Sequence, residues 1–466
     1  MIAKKDIAIL GGGPGGYVAA IRCAQLKKKV VVFEEDRVGG TCMNYGCIPT
    51  KHLLHQTKLL QELRKSKTLE GALDGIGLNW KKVQEDKNKV VDRLVRGVEF
   101  LFQRYGIELV RGTAAIRNER TVVARVKDEE KTFEAERIIL ATGSRSAELP
   151  FLRADGASVV TSREALEFDP APKSLLVIGA GAIGIEMATI YHRLGTEVTV
   201  LEILPTALPG SDKEMAGRFE LVLKKQGLKV LTSMRIEECR KEDGRVVLKG
   251  TALKDQSRFE FAAERVLLAT GRRPNSERLH AGAPMVAIGK SGFVEVNEAL
   301  GTSVPGVYAI GDLIGGKLLA HKASHEGLAA AANACGGREI IDLRALPMAV
   351  FTEPEFASVG LTEEEARDRS GDVRTGIFSF QANGRALTMD SPDGLVKIIA
   401  GKDDRILGAH ILGPSASDLL AELTLAMNKG LTVRDIASAI HIHPTLSEAV
   451  MEAALKVRGE AIHIVN

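Results

Sequence analysis

The sequence is poor in aromatic side chains: Phe, Trp and Tyr make up 4% of its 466 residues, with a single Trp. Its five cysteines are too few for a disulfide scaffold. No apolar run approaches the roughly 18 residues that cross a bilayer. Neither sign of charge dominates, since 63 Lys and Arg stand against 60 Asp and Glu. That balance gives no basis for a nucleic-acid partner, whose binding needs a basic excess to release counterions. Low-complexity tracts and long charged tails are also missing. The opening MIAKKDIAILGGGPGG enters a strand pattern at once, which leaves no room for a signal or transit peptide before it. These absences lead us to expect a cytoplasmic protein in a reducing compartment. The length predicts about three domains.

Glycine is in excess, at 47 residues. Clustered glycine marks places where backbone must approach something closely. Two clusters repeat one pattern. Residues 7–16 read IAILGGGPGG and residues 175–184 read LLVIGAGAIG. Each is an apolar run, then G-x-G-x-x-G, then a helix-like stretch. Gly11, Gly13 and Gly16 match Gly179, Gly181 and Gly184. The next apolar run ends in an acid both times, Glu34 and Glu202, each 23 residues beyond the first glycine. Each repeat closes on a near-identical octet, ERIILATG ending at Gly143 and ERVLLATG ending at Gly271.

This pattern reads as two dinucleotide sites. The first glycine permits the strand-to-helix turn, the second lets a pyrophosphate lie against bare backbone, and the third lets the helix pack on the strand. The helix N-terminus favours phosphate charge, and the acid accepts from a ribose hydroxyl pair. After Glu202 no arginine occurs until Arg218, so the second site should prefer NAD to NADP. The first repeat is longer by about 40 residues, from GGTCMNYGCIPTK at 39–51 to about 104. In that insert Val83, Val90, Val91, Leu94, Val98, Leu101 and Phe102 recur at helical spacing.

Cys42 and Cys47 lie in the insert. They are either two buried free thiols or a redox-active pair beside a cofactor. A regular helix holds residues i and i+5 about 8–9 Å apart, whereas a disulfide needs about 4.4–6.8 Å. Closure therefore requires irregular backbone, for which Asn44, Gly46 and Pro49 are suited. Their place directly after the first ribose acid favours the redox reading. Cys23, Cys239 and Cys335 have no partner at comparable spacing and read as buried small side chains. HIHPTLSE at 441–448 is either an ordinary histidine pair before a helix opened by Pro444, or an acid/base group, His443, oriented by Glu448. No third ligand cluster suggests a metal.

Taken together, GGGPGG, GGTCMNYGCIPTK, ATGS (141–144), GAGAIGIE (179–186), ATGRRPN (269–275), GVYAIGD (306–312), LAHKASHEG (319–327), ANGRA (382–386) and HIHPTLSE resemble the pyridine nucleotide–disulfide oxidoreductases. Within them the chain is similar to the dihydrolipoamide dehydrogenases along essentially its whole length. The resemblance implies an α/β fold with two Rossmann-like domains, for FAD and NAD, and a C-terminal α+β dimerisation domain. The expected map is 1–145 for FAD, 146–272 for NAD, 273–343 completing the FAD domain, and 344–466 for the interface.

It implies that FAD uses Gly11, Gly13, Gly16, Glu34 and Gly143, with Asp312 on the ribityl chain. Lys51 is expected near the reactive flavin edge, where Glu186 meets it. NAD uses Gly179, Gly181, Gly184, Glu202 and Gly271. Cys42 exchanges with substrate and Cys47 faces the flavin. His443 of one subunit, with Glu448, serves the disulfide of the other, so the active unit is a homodimer. The implied substrate is a lipoyl group on another protein, in a 2-oxo acid dehydrogenase complex or the glycine cleavage H-protein. Met43 and Tyr45 depart from the usual aliphatic residues of the loop, without removing a reacting group. The alternatives are another disulfide reductase or a soluble transhydrogenase of the superfamily, or a mainly structural flavoprotein subunit.

Overall fold

The computed structural model describes residues 3–66, 68–69, 75–282 and 285–466. The chain divides into two compact units. One comprises residues 1–53, 79–147 and 271–341, and the other 54–78, 148–270 and 342–466.

In the first unit, the run VVVFE has no polar alternation and forms β2 (Val30–Glu34), with Val30 to Phe33 all buried. Such a run suits a strand covered on both faces. β1 (Ala3–Leu10) pairs parallel with β2 and with the strand Glu129–Leu140, whose end is the first octet. Strand Val307–Ala309, from GVYAIGD, pairs parallel with that octet strand. A core with Ile7, Ile9, Val30 and Val32 packs α1 (Pro14–Gln25) against one face of the sheet, and Ala8, Leu10, Val31 and Phe33 fill the other. The amphipathic insert forms the helix Trp80–Tyr105, which buries Val83, Val91, Val95, Val98 and Phe102. Val90, Leu94 and Leu101 of the same periodic set stay exposed.

The second unit holds a parallel sheet ordered Lys229–Leu231, Glu197–Leu201, Ser174–Ile178, Arg265–Leu268, Val159–Val160. This repeats the β1–β2–octet arrangement, with the second octet beside the second glycine strand. A five-stranded antiparallel sheet follows, from Met348–Val350 to Ile406–Gly413. Helix Ala416–Lys429 packs on it and ends at Gly430 in the left-handed conformation. Thr432 and Asp435 form a capping box, as their spacing predicts. Pro444 opens no helix: the last helix is Glu448–Val457.

The sequence map separates 146–272 from 344–466; residues 148–270 and 342–466 share this second compact unit. A buried ion cluster links them. Lys397 Nζ lies 3.0 Å from Asp212 Oδ1, 3.2 Å from Glu214 Oε2 and 2.8 Å from Glu363 Oε2. Lys397 and Asp212 side chains are both 2% exposed. Removing one member of such a cluster leaves an uncompensated buried charge. Lys397→Met is expected to cost about 3 kcal/mol, read as a lowered urea midpoint.

Candidate functional site

Both glycine motifs obey one steric logic. A Cβ on Gly11 would lie 2.3 Å from the Ala141 carbonyl oxygen, and one on Gly16 would lie 1.9 Å from that of Gly11. At Gly179 and Gly184 the equivalent distances are 2.3 Å, to Ala269, and 2.0 Å, to Gly179. These four glycines are demanded by the chain's own packing. The middle ones are not. A Cβ on Gly13 would find only Gly40 Cα at 3.9 Å, and one on Gly181 would meet nothing within 4 Å. Each middle glycine caps the helix that follows. Bare backbone beside a helix N-terminus, with no internal reason to be bare, is a cradle for a phosphate. The residues of each unit thus fit a dinucleotide.

The acids behave alike. Glu34 Oε2 accepts the Gly12 N–H at 2.8 Å and Oε1 accepts that of Asp36 at 2.9 Å. Glu202 accepts from Ala180 at 2.7 Å and from Leu204 at 2.9 Å. A carboxylate offers about four lone-pair sites, so each keeps capacity for ribose hydroxyls. Burial raises the Glu34 pKa, against the two N–H bonds that lower it. Arg218, the first arginine after Glu202, lies 3.8 Å from Glu214 on an exposed helix face.

The closing glycines, Gly143 and Gly271, both have positive φ, at 68° and 112°. Ser144 and Arg272, the residues directly after them, meet in the first unit as the short antiparallel pair Ser144–Ser146 with Arg272–Pro274. Arg272 Nε donates to Ser144 Oγ and Nη2 to the Ser144 carbonyl, both at 2.7 Å. Ser144 Oγ in turn donates to Asp312 Oδ2. Gly311, before Asp312, donates its N–H to Glu326 Oε2 at 2.7 Å, while Glu326 Oε1 is 2.7 Å from Lys322 Nζ. Burial raises the Glu326 pKa despite that cation. Ser144, Arg272, Lys322 and Glu326 escaped the sequence reading as site residues. The adjacency of Ser144 and Arg272 to the octets, and the i, i+4 spacing of Lys322 and Glu326, were the available signals.

The cysteine loop is irregular where expected. α2 (Gly40–Tyr45) stops at Gly46 and α3 (Cys47–Lys65) starts at once. A Cβ on Gly46 would lie 2.9 Å from the Thr41 carbonyl oxygen and 3.4 Å from Cys42 Cα, so glycine lets the chain turn back on itself. Asn44 fixes the loop through bonds to the Val38 and Gly40 carbonyls at 3.1 and 3.0 Å. The two cysteines are thiols here, and the side chain of Cys42 bonds that of Cys47. That bond, then burial, then repulsion from Cys47 push the Cys42 pKa well up, against Lys51, which lowers it. Cys42 thus holds its proton, while Cys47 stands at the start of a helix, where the dipole favours a thiolate. Lys51 sits one turn along α3. Met43 packs into the core, and the Tyr45 hydroxyl bonds Asp36.

In the second unit, Glu186 is buried and accepts the Phe351 N–H at 2.9 Å. His443 Nδ1 is 2.9 Å from Glu448 Oε1, and Thr445 N–H donates to Oε2 at 2.8 Å. Burial pushes the Glu448 pKa up, but the Thr445 bond and His443 outweigh it and hold it low. The carboxylate stays ionised at neutral pH and orients the ring. The His443 side chain is 81% exposed, whereas that of His441 is 6% exposed and bonded to Glu422. Among the described residues no group of His, Cys, Asp and Glu could hold a metal, and no helix is long and apolar enough to cross a membrane.

These features define a two-nucleotide oxidoreductase with a dithiol. Residues 5–327 match the family model described as pyridine nucleotide-disulphide oxidoreductase, and residues 346–454 match that family's dimerisation domain. The chain belongs to this family. It is 44% identical to the dihydrolipoyl dehydrogenase of Thermus scotoductus, covering 99% of each chain. It is 41% identical to that of Geobacillus stearothermophilus, over 99% of this chain and 98% of the other. Among solved structures, LpdA from Mycobacterium tuberculosis superposes with a TM-score of 0.88 at 27% identity, over 97% of this chain and 99% of that one. The protein is therefore an enzyme, a flavoprotein oxidoreductase whose cofactors are FAD and NAD, and its dimerisation domain supports a homodimer.

The middle glycine separates binding from folding. Gly181→Ala is expected to leave the melting temperature unchanged while raising the KM for NAD+ about tenfold, a loss of about 1.4 kcal/mol. Gly184→Ala, which drives a Cβ into backbone, is expected to destabilise the fold by about 1–3 kcal/mol or more. Steady-state kinetics and thermal melts distinguish the two.

Proposed function

We propose that this chain oxidises protein-bound dihydrolipoyl groups to the lipoyl disulfide and reduces NAD+, with Cys42, Cys47, His443 and Glu448 as the reacting groups. The observation that carries the reading is the thiol pair: the break at Gly46 sets Cys42 and Cys47 in contact beside the first dinucleotide turn. The assignment of the substrate rests on the relatives. Gly11, Gly13, Gly16, Glu34, Gly143 and Asp312 would hold FAD, and Gly179, Gly181, Gly184, Glu202 and Gly271 would hold NAD. The segments 1–145 and 273–343 serve the first cofactor, 146–272 the second, and 344–466 the subunit interface.

The catalytic cycle starts from the Cys42–Cys47 disulfide. His443, held by ionised Glu448, accepts a proton from one substrate thiol. The resulting thiolate attacks Cys42 Sγ, and the electron pair of the broken bond leaves on Cys47. The second substrate thiol then displaces Cys42, which departs protonated as the lipoyl disulfide forms. Cys47 keeps the negative charge because Cys42 donates to it, α3 begins at it, and Lys51 lies one turn away. Bound FAD would supply the two-electron relay between the reduced cysteines and NAD+. The exposure of His443 suits a role at the disulfide of the other subunit of the homodimer. The macromolecular partners on this reading are lipoyl domains of 2-oxo acid dehydrogenase complexes or the glycine cleavage H-protein, in the cytoplasm.

The test is anaerobic NAD+ reduction by dihydrolipoamide. Wild-type protein is expected to form NADH and Cys42→Ser to form none. His443→Gln is expected to retain flavin but lose about 10²–10⁴-fold in turnover. A folded, yellow wild-type protein that forms no NADH would overturn the assignment.

A further inference from the structure

The cysteines outside the active site include a second pair. Cys23 ends the buried face of α1, and Cys335 follows the helix Ala320–Ala334. These helices touch backbone to backbone. A Cβ on Gly327 would lie 2.5 Å from the Gly15 carbonyl oxygen, and one on Gly15 would lie 3.0 Å from that of Ala323. Gly15, Ala19 and Cys23 recur every four residues on one helix, as do Gly327, Ala331 and Cys335 on the other. Residues at i, i+4 and i+8 share a helix face. Ala19, Cys23 and Ala331 lie in one core, with Cys335 packed against it. Each cysteine stands eight residues beyond its glycine, so the register that seats Gly327 on Gly15 sets thiol against thiol. Each thiol feels the other, and their interaction shifts both pKa values.

We propose that Cys23 and Cys335 are a second dithiol, distinct from Cys42 and Cys47, that a peroxide closes to a disulfide, tying together two helices of the FAD-binding unit. Cys23 is fully buried and Cys335 is partly exposed, so the peroxide meets Cys335 first. The Cys335 thiolate attacks one peroxide oxygen, the O–O bond breaks, the other oxygen leaves as hydroxide, and Cys335 becomes a sulfenic acid. Cys23 then attacks that sulfur, the S–O bond breaks, and water leaves with the Cys23 proton. Two sulfurs give up two electrons, and one peroxide becomes two waters.

The surrounding charges suit this order. Lys28 faces both thiols and Arg22 faces Cys335, with Asp6 opposing them. Burial raises both thiol pKa values, and the interaction between them raises Cys23 and lowers Cys335, which agrees with the more exposed Cys335 being the nucleophile. The closed bond would fix the C-terminal ends of helices whose N-terminal ends adjoin the GGGPGG turn and follow the Asp312 turn. Loss of FAD should slow accordingly.

The test treats holoenzyme with hydrogen peroxide, alkylates free thiols, and digests with trypsin without reduction. The expected product is peptide 23–27 joined to peptide 323–338, two hydrogens lighter than their sum and separated by reductant. It should be absent from Cys335→Ala, and from Cys23→Ala should the first variant fail to fold. Flavin release in denaturant should slow about tenfold in treated wild-type protein, against no change in either variant. Recovery of peptide 323–338 with Cys335 as sulfinic or sulfonic acid and Cys23 unlinked would overturn the proposal. So would recovery of both cysteines as alkylated thiols under treatment that oxidises Cys42 and Cys47.

Discussion

Each nucleotide site depends on backbone touching backbone where no Cβ intervenes. The Gly11 carbonyl occupies the place of a Cβ on Gly16, and the Ala141 carbonyl occupies that of a Cβ on Gly11. The octet strand therefore forms the floor on which the glycine turn rests, which explains why octet and turn repeat together. Gly179, Gly184 and Ala269 reproduce the arrangement. Once the helix start is fixed, the bare middle glycine, the capping N–H groups and the clamped acid fall into place. Side-chain chemistry enters later, in the insert that only the first copy carries.

The repeats, the break in the cysteine loop and the pairing of His443 with Glu448 were legible in the sequence because each is local. Glycine spacing, an i+5 cysteine pair and an acid five residues beyond a histidine all act through nearby backbone. The arrangements that escaped are set by tertiary contact. Ser144 and Arg272 meet across 128 residues, and no spacing rule connects them. Cys23 and Cys335 have no partner at comparable spacing because separation in sequence says nothing about the register of two packed helices. Val90, Leu94 and Leu101 matched the helical period yet lie outside the buried stripe, since periodicity marks a helix without saying how wide a face its neighbours cover. Pro444 failed as a helix start, the helix beginning four positions later at Glu448.

Two buried lysines hold the frame in different ways. Lys322 pairs with Glu326 within one helix, and the pair anchors the turn before Asp312. Lys397 gathers carboxylates from separate segments and ties its strand, Leu395–Ala400, to the helices Lys213–Lys225 and Glu363–Ser370. Burial makes either arrangement costly to break by halves, so each favours one geometry over its alternatives.

The clamped acids have a consequence for how a ligand is received. Glu34 and Glu202 are already fastened by two backbone N–H groups each before any ribose arrives. A free glutamate gives up about 1.5–2 kcal/mol of rotamer entropy when it is immobilised. Here that loss belongs to folding and not to binding. The nucleotide meets a receptor that is rigid in advance, and its affinity is correspondingly less dependent on ordering the protein.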